Sequence, residues 1–259
     1  MKLRFLYRAW KARSRDQRLE IDVARALIRP GDLVVDAGAN KGAYLYWLRQ
    51  FVGPNGSVLA YEPQPQLADY LQRARTAFRW TNVEIHPVAL SNRAGQSTLH
   101  IPGGGISPGA SLESSVLEKA TGSSFKCVVD TLDHQLTGRA GPSFLKVDVE
   151  GHELALFEGG AETLLRHKPA LLFECERRHL SKHTMQDVFG YLVKKFGYAG
   201  LLLHGRSLLP LAKFNADLHQ SNRGDRFWDS PEYFNNFLFS AAPLPEALKN
   251  RIPGPQSIS

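Results

Sequence analysis

The segment VDAGANKG, residues 35–42, joins an apolar run to a helical pattern through a turn that contains two glycines. Such a turn lets backbone N–H groups approach a ligand closely, and the start of the following helix favours a negative group. The spacing is DxGxxxG and therefore differs from the GxGxxG pattern of dinucleotide sites. We expect a cofactor other than NAD or FAD, with an ordinary strand-to-helix turn as the alternative. The candidate residues of this segment are Asp36, Gly38, Ala39, Asn40 and Gly42.

An acidic residue follows at the end of the next apolar run. Glu62 is suited to bind ribose, because a carboxylate can accept two hydrogen bonds from a vicinal diol. The third apolar run ends at Ala89 and Leu90, which we expect beside an adenine ring, although plain core packing is the alternative. The glycine turn, the acid and the order of the runs together predict that the cofactor is S-adenosylmethionine.

Three ionisable side chains, Asp148, Glu150 and His152, lie within five positions at the end of the fourth predicted strand. Ligands of open α/β sheets bind at the carboxyl ends of the strands. A carboxylate or imidazole there could remove the proton of a hydroxyl nucleophile, which typically contributes about 100-fold to 10,000-fold in rate. The alternative is that Glu150 or His152 caps the next helix. We predict no metal; the alternative is a cation on Asp148, Glu150 and one of Glu174 or Glu176.

The acceptor is predicted to be an oxygen atom. Methyltransferases that act on amino groups would be expected to show a [DN]PP[YFW] run after the fourth strand, whereas the closest run here, DSPEY at 229–233, lies much later. Two irregular stretches, 102–115 and 205–233, are expected to overhang the strand ends and shape the acceptor site. Polar and aromatic side chains of the second stretch would suit a sugar ring: Arg206, His219, Arg223, Arg226 and Trp228.

Apolar runs alternate with helical patterns from Asp32 onward, which is typical of a parallel sheet covered on both faces. The strands are predicted at 33–38, 57–63, 83–90, 96–101, 125–129, 144–151, 170–176, 198–204 and 237–241. Helices are predicted at 41–52, 65–78 and 185–196, with a further helix interrupted near Gly159 and Gly160. These elements bring the glycine turn, Glu62 and Asp148 to one edge of the sheet.

The positive charge of the chain is concentrated at one end. The formal net charge is +7, and residues 1–20 hold seven cations and two acids, a net +5, so the remainder is nearly neutral. This distribution disfavours a nucleic-acid partner. Leu3, Leu6, Tyr7 and Trp10 recur at helical spacing among the cations, which predicts an amphipathic helix on an anionic membrane surface, or alternatively a helix packed on the domain by that stripe.

Composition favours one globular domain. The chain has 259 residues, of which 43% are hydrophobic, and no stretch approaches the roughly 20 apolar residues of a membrane span. Cys127 and Cys175 show neither disulfide-framework nor zinc spacing. We predict a cytoplasmic protein, with peripheral contact at the inner face of a membrane through residues 1–18. The predicted divisions are a basic segment 1–18, a catalytic domain 19–242 and an irregular tail 243–259.

Three runs resemble the FkbM family of methyltransferases: VVDAGANKGAY, AYEPQPQLADYL and FLKVDVEGHELALFEGGAETLL. The VALSN run at 88–92 and the final FNNFLFS are similar to the same family. The resemblance implies a Rossmann-like class I methyltransferase fold, an α/β protein with a mostly parallel seven-stranded sheet and an antiparallel last strand. It also implies S-adenosylmethionine at Asp36, Gly38, Asn40, Gly42 and Glu62.

We therefore predict O-methylation of a small-molecule or glycan acceptor: a sugar, glycan, glycolipid or polyketide-type metabolite. A non-catalytic module that binds S-adenosylmethionine and an enzyme that modifies RNA or DNA are the alternatives.

Overall fold

The computed structural model describes residues 1–103, 105–107, 109–114, 122–221, 230 and 232–252. The strands are β1 (Leu33–Ala37), β2 (Ser57–Tyr61), β3 (Val83–His86), β4 (Ala89–Leu90), β5 (Gly95–Pro102), β6 (Gly122–Asp130), β7 (Phe144–Val147), β8 (Ala170–Glu174), β9 (Ala199–His204), β10 (Ser207–Pro210) and β11 (Asn236–Ser240). The helices are α1 (Lys2–Lys11), α2 (Arg18–Leu27), α3 (Ala43–Val52), α4 (Pro65–Phe78), α5 (Leu132–Gln135), α6 (Glu153–Gly159), α7 (Ala161–His167), α8 (Met185–Phe196), α9 (Ala216–His219) and α10 (Glu246–Lys249).

The main sheet has the strand order β10-β9-β11-β8-β7-β1-β2-β3. The pairs among β8, β7, β1, β2 and β3 are parallel, whereas β11 is antiparallel to both of its neighbours. The predicted α/β fold class is therefore confirmed. Within the described residues the sheet has eight strands instead of seven, because Ser207–Pro210, predicted as part of an irregular stretch, pairs with β9 at the edge.

A second sheet interrupts the third predicted strand. The run 83–90 is predicted to be continuous, but β3 ends at His86 and Ala89–Leu90 pairs instead with β6 in a sheet of order β4-β6-β5. Pro87 explains the break, since proline has no N–H to donate to a strand ladder. The chain therefore turns at Pro87, and Ala89 and Leu90 lie away from the main sheet and over its carboxyl edge.

Helices cover both faces of the main sheet, and each face has its own apolar core. Two helices match their predicted bounds because local signals fix their ends. In α4, Pro65 occupies the first turn, where a missing N–H costs nothing. In α8, Thr184 and Asp187 form a capping box, and Gly197 ends the helix in a left-handed conformation.

Helix α1 packs on the domain through a face that the sequence pattern did not predict. Phe5 is 1% exposed and its ring lies 5.5 Å from those of Phe78 and Trp80, while Ala9 is fully buried. Trp47 of α3 donates a hydrogen bond to the Ala9 carbonyl. The predicted stripe instead faces outward: Leu3 is 83% exposed and Tyr7 and Trp10 are each 61% exposed, with Leu6 partly buried.

The tail predicted to be irregular from residue 243 contains a short helix, α10. Leu248 is 1% exposed and packs into the core beside α2, and Arg251 pairs with Asp22 at 2.8 Å. The apolar contact and the ion pair order this part of the tail. Residues 253–259 lie outside the described part of the chain.

Candidate active site

A cleft of about 560 Å³ opens at the carboxyl edge of the sheet, where β1, β2 and β7 end. The side chains come from four places: the turn after β1, the end of β2, the segment after β7, and the second sheet with its loop. The predicted cofactor residues that line it are Gly38, Asn40, Glu62, Ala89 and Leu90. Tyr61, Val88, Leu99, Leu112 and Val149 add an apolar wall.

Gly38 is required by both the conformation and the crowding of the turn. Its φ angle is +81°, and a Cβ atom built on it would lie 1.9 Å from the backbone oxygen of Asp148. The adjoining N–H groups are not directed at the cleft, contrary to expectation. Gly38 and Ala39 donate to the Tyr61 carbonyl, at 2.9 and 3.0 Å, and the turn is thereby fastened to β2.

Gly42 and Ala39 do not line this cleft. A Cβ atom on Gly42 would lie within 2.8 Å of the Phe5 ring and the Leu71 side chain, so packing between α1 and α4 explains the glycine. The helix predicted from residue 41 accordingly begins at Ala43, after the left-handed Gly42. Ala39 is 5% exposed and lines a second cavity. The expected role of Gly42 in cofactor binding stays a prediction, with packing as a second reason for the glycine.

The Glu62 carboxylate both accepts a hydrogen bond from the glycine turn and faces the cleft. One oxygen accepts from the Asn40 N–H at 2.8 Å and the other from the Gln64 N–H at 2.9 Å. Burial raises the pKa of Glu62 to about 7, against the lowering effect of these two N–H groups. Each carboxylate oxygen has a further lone pair with which to accept from a ribose hydroxyl.

A second cavity, of about 480 Å³, lies on the other side of the glycine turn. It shares Gly38, Asn40 and Asp148 with the cleft and is lined further by Gln17, Asp36, Lys41, Tyr44 and Lys146. Lys146 is only 2% exposed, with its ammonium group 4.9 Å from the centre of the Tyr44 ring and 3.8 Å from the Asp148 carboxylate. Sequence reasoning missed Lys146, which lies within an otherwise apolar strand.

Asp36 is a buried acid with an unused oxygen. It is 2% exposed, and its Oδ2 atom has no hydrogen-bond partner among the described residues. Burial raises the pKa of Asp36 to about 7, although the charge of Lys146 opposes the shift. A buried acceptor without a partner destabilises a fold. A ligand in the second cavity could supply the missing partner.

Replacement of Asp36 by asparagine is expected to stabilise the ligand-free protein at alkaline pH. The folded-state pKa lies above the unfolded value, so ionisation costs folding free energy from about pH 4 upward, fully so above pH 7. The gain is at most about 4 kcal/mol at pH 8 and vanishes below pH 4. Thermal unfolding across this range measures it. Asp69→Asn, at an exposed aspartate on α4, is the control, and an Asp36→Asn variant with no pH-dependent gain would contradict the assignment.

Glu150 adopts a strained backbone conformation beside a histidine. Its φ angle is +52°, which is uncommon for a residue with a side chain, and Oε2 lies 2.7 Å from Nδ1 of His179. Burial raises the pKa of Glu150. Burial alone would lower the pKa of His179, but the hydrogen bond and charge of Glu150 outweigh it and raise that pKa. The two side chains therefore form a buried ion pair.

Two acids, Glu174 and Glu176, lie side by side at the end of β8. Burial and the charge of Asp148 raise the pKa of Glu174, while Glu176 accepts hydrogen bonds from Glu174, Arg178 and Tyr233 and stays ionised. Asn235 donates to both carboxyl groups. Among the described residues, no group of three or more His, Cys, Asp or Glu side chains has metal-binding geometry.

His152 lines the cleft and is held on both ring nitrogens. Nε2 lies 2.9 Å from the Ser91 hydroxyl, and Nδ1 lies 2.8 Å from Glu113. The hydrogen bond from His152 outweighs burial and lowers the pKa of Glu113 to about 2. Glu113 belongs to the stretch 102–115, and Ser111 of that stretch donates to the Glu150 carbonyl. Glu113, which sequence reasoning missed, thus holds this stretch over the cleft.

The other predicted acceptor stretch, 205–233, is more regular than expected. It contains β10 and α9, and Arg206 and His219 do not line the cleft or the second cavity. Arg223, Arg226 and Trp228 lie outside the described residues, as do Asp229 and Pro231 of the DSPEY run.

The model of the Methyltransferase FkbM domain matches residues 36–199, which is more than half of the chain. The chain belongs to the FkbM methyltransferase family. The family model describes a methyltransferase domain, which agrees with the predicted class of enzyme. The matched segment contains the cleft, the glycine turn and the DVEGH run.

The FkbM methyltransferase of Methylobacillus flagellatus KT has a similar solved structure, with a TM-score of 0.53 and 16% identity. The match covers 91% of this chain and 53% of that one. Fibrillarin from Aeropyrum pernix, solved with natively bound S-adenosyl-L-methionine, aligns with a TM-score of 0.44 and 13% identity over 85% of this chain and 74% of that one.

Among curated proteins, the ribosomal RNA large subunit methyltransferase E of Azoarcus sp. is 43% identical over 56 residues. That match covers 22% of this chain and 27% of the relative. The FkbM chain thus spans about half of the solved family member and about a quarter of the curated relative. None of its described helices is both long and apolar enough to cross a membrane.

Proposed function

We propose that this chain transfers a methyl group from S-adenosylmethionine to a hydroxyl group of a sugar, glycan, glycolipid or polyketide-type metabolite. The observation that carries the proposal is the position of Asp148. Its carboxylate is 32% exposed and borders both cavities, whereas the side chains of Glu150 and His152 are only 14% and 13% exposed. A partly exposed carboxylate between two adjoining cavities suits proton transfer from an acceptor hydroxyl.

The residues around the cleft fit the cofactor. Glu62 offers carboxylate oxygens to a ribose diol, and the apolar wall formed by Val88, Leu90 and Val149 suits an adenine ring. In the second cavity, Lys41 offers a cation to a carboxylate and Asp36 offers its unused oxygen to an ammonium group. When bound, S-adenosylmethionine supplies a methyl group activated by a positively charged sulfur.

We assign Asp148 as the base that takes the proton from the acceptor hydroxyl. The buried positive charge of Lys146 lies 3.8 Å from this carboxylate. Glu150 and His152 stay candidates, but their partners favour positioning roles. The Glu150 side chain pairs with His179 while its carbonyl accepts from Ser111, and His152 anchors the loop through Glu113.

The product of the reaction tests the proposal. The protein is incubated with S-adenosylmethionine and separate fractions of lipids, glycans, small metabolites and RNA, and S-adenosylhomocysteine release is measured. Mass spectrometry then locates a gain of about 14 Da per methyl group. We expect turnover with a hydroxyl-bearing lipid, glycan or metabolite. Turnover with RNA alone would replace this proposal with an RNA-modifying enzyme, and cofactor binding without turnover would leave a binding module.

A cytoplasmic location remains part of the proposal. Cys127 and Cys175 are both buried and unpaired, which fits a reducing compartment. Contact with the inner face of a membrane is a separate proposal that depends on the outer surface of α1.

A further inference from the structure

Helix α1 has two apolar faces, and only one of them is used by the fold. Phe5 and Ala9 are buried against α3 and α4. Leu3, Tyr7 and Trp10 follow at intervals of four and three residues on the opposite side and form one continuous exposed stripe. The rings of Tyr7 and Trp10 lie 6.5 Å apart. An exposed apolar stripe of this kind marks an interaction surface more often than a chance arrangement.

Cations border the stripe on both sides. With 3.6 residues per turn, α1 carries Arg4, Arg8 and Lys11 along one side, and Lys2 lies along the other. Arg4 makes no ion pair within the described part of the chain. Arg8 donates to the neutral Tyr70 hydroxyl, and Lys2 lies over the Phe78 ring. Lys11 pairs with Asp16, which leaves most of the positive charge of this helix without an acidic partner among the described residues.

We propose that the exposed face of α1 binds an anionic lipid surface. Tyr7, Trp10 and Leu3 enter the interface between headgroups and acyl chains, where aromatic side chains are favoured, and the flanking cations contact the headgroups. The charge favours lipid over the other two occupants. A second copy would bring the same cations to the interface, and an apolar partner protein would bring no acids to neutralise them. The buried face keeps α1 folded before it binds.

Docking through α1 would bring the second cavity close to the lipid surface. The segment Ala12–Asp16 continues directly from α1, and Gln17, the next residue, lines that cavity. If the proposed function holds, an acceptor carried on a lipid is brought to the edge of the domain that holds Asp148. This consequence rests on the proposed function, whereas the binding of α1 to lipid does not.

Vesicle flotation of the full chain tests the inference. The vesicles contain either phosphatidylcholine alone or equal parts of phosphatidylcholine and phosphatidylglycerol. We expect the wild type to float with the anionic vesicles only, and less so at high salt. The triple variant Leu3→Ser, Tyr7→Ser, Trp10→Ser should bind at least about 10-fold more weakly. Leu165→Ser with Leu218→Ser removes two leucines that are 62% and 70% exposed elsewhere, and should bind like the wild type.

Three results would overturn the inference. They are equal flotation of the triple variant and the wild type, equal binding to neutral and anionic vesicles, and a dimer in sedimentation analysis that depends on the stripe while the protein ignores vesicles. Cofactor affinity and turnover with a soluble acceptor are measured without vesicles. A chain that binds vesicles but transfers no methyl group would disprove the proposed function alone.

Discussion

Gly38→Ala is expected to abolish detectable binding of S-adenosylmethionine. The added methyl group would lie 1.9 Å from the backbone oxygen of Asp148, so the turn must move away from β7. That movement pulls on the hydrogen bonds from the turn to Tyr61 and Glu62 and displaces the cleft wall. We expect a loss of affinity of about 100-fold or more, measured by isothermal titration.

Gly138→Ala separates this effect from backbone strain. Gly138 has a φ angle of +75°, similar to that of Gly38, but a Cβ atom added to it would meet no described atom within 4 Å. Both substitutions should cost about 1 kcal/mol of stability through the left-handed backbone. Only Gly38→Ala should also lose the cofactor. Retained affinity in a folded Gly38→Ala protein would show that the turn does not hold the ligand.

Asp148→Asn is expected to lower kcat by about 100-fold to 10,000-fold, because the variant has the same shape but cannot take a proton from the acceptor. The affinity for S-adenosylmethionine should change much less, since Asp148 contributes only one part of the wall. Steady-state kinetics with the acceptor found in the turnover assay measure kcat.

Asp217→Asn is the control for this substitution, because Asp217 is 82% exposed and pairs with Arg177 far from the glycine turn in sequence. Its kcat should equal that of the wild type. An Asp148→Asn enzyme with nearly normal kcat, together with a large loss in His152→Ala, would move the base to the imidazole. In that case Glu113 would orient a catalytic histidine instead of fastening a loop.

The sequence predicted those parts of the fold that depend on local signals. The bounds of α4 and α8 follow from Pro65, the Thr184 cap and Gly197, and each strand of the parallel core appears as an apolar run. The glycine turn and Glu62 were found because their spacing along a strand–helix–strand unit fixes their positions at one sheet edge.

The parts of the fold and of the site that the sequence did not predict depend on contacts between residues far apart in the chain. Glu113 meets His152 across 39 positions, from a stretch rich in glycine and serine that carries no local signal. The packing of Gly42 against Phe5 and Leu71 is likewise absent from the local pattern, which predicts only a cofactor role. Periodicity could not show which apolar side of α1 is buried, because the burial of Phe5 depends on contacts with aromatic rings of α3, α4 and the turn after α4.

Isothermal titration of S-adenosylmethionine into the wild type, Glu62→Ala and Glu150→Ala tests the central claim most directly. We expect one site per chain in the wild type and an affinity about 10-fold to 100-fold lower in Glu62→Ala, which loses charged hydrogen bonds. Glu150→Ala should bind like the wild type. Absence of binding by the wild type, or equal binding by the wild type and Glu62→Ala, would contradict the assignment of this cleft as the cofactor site.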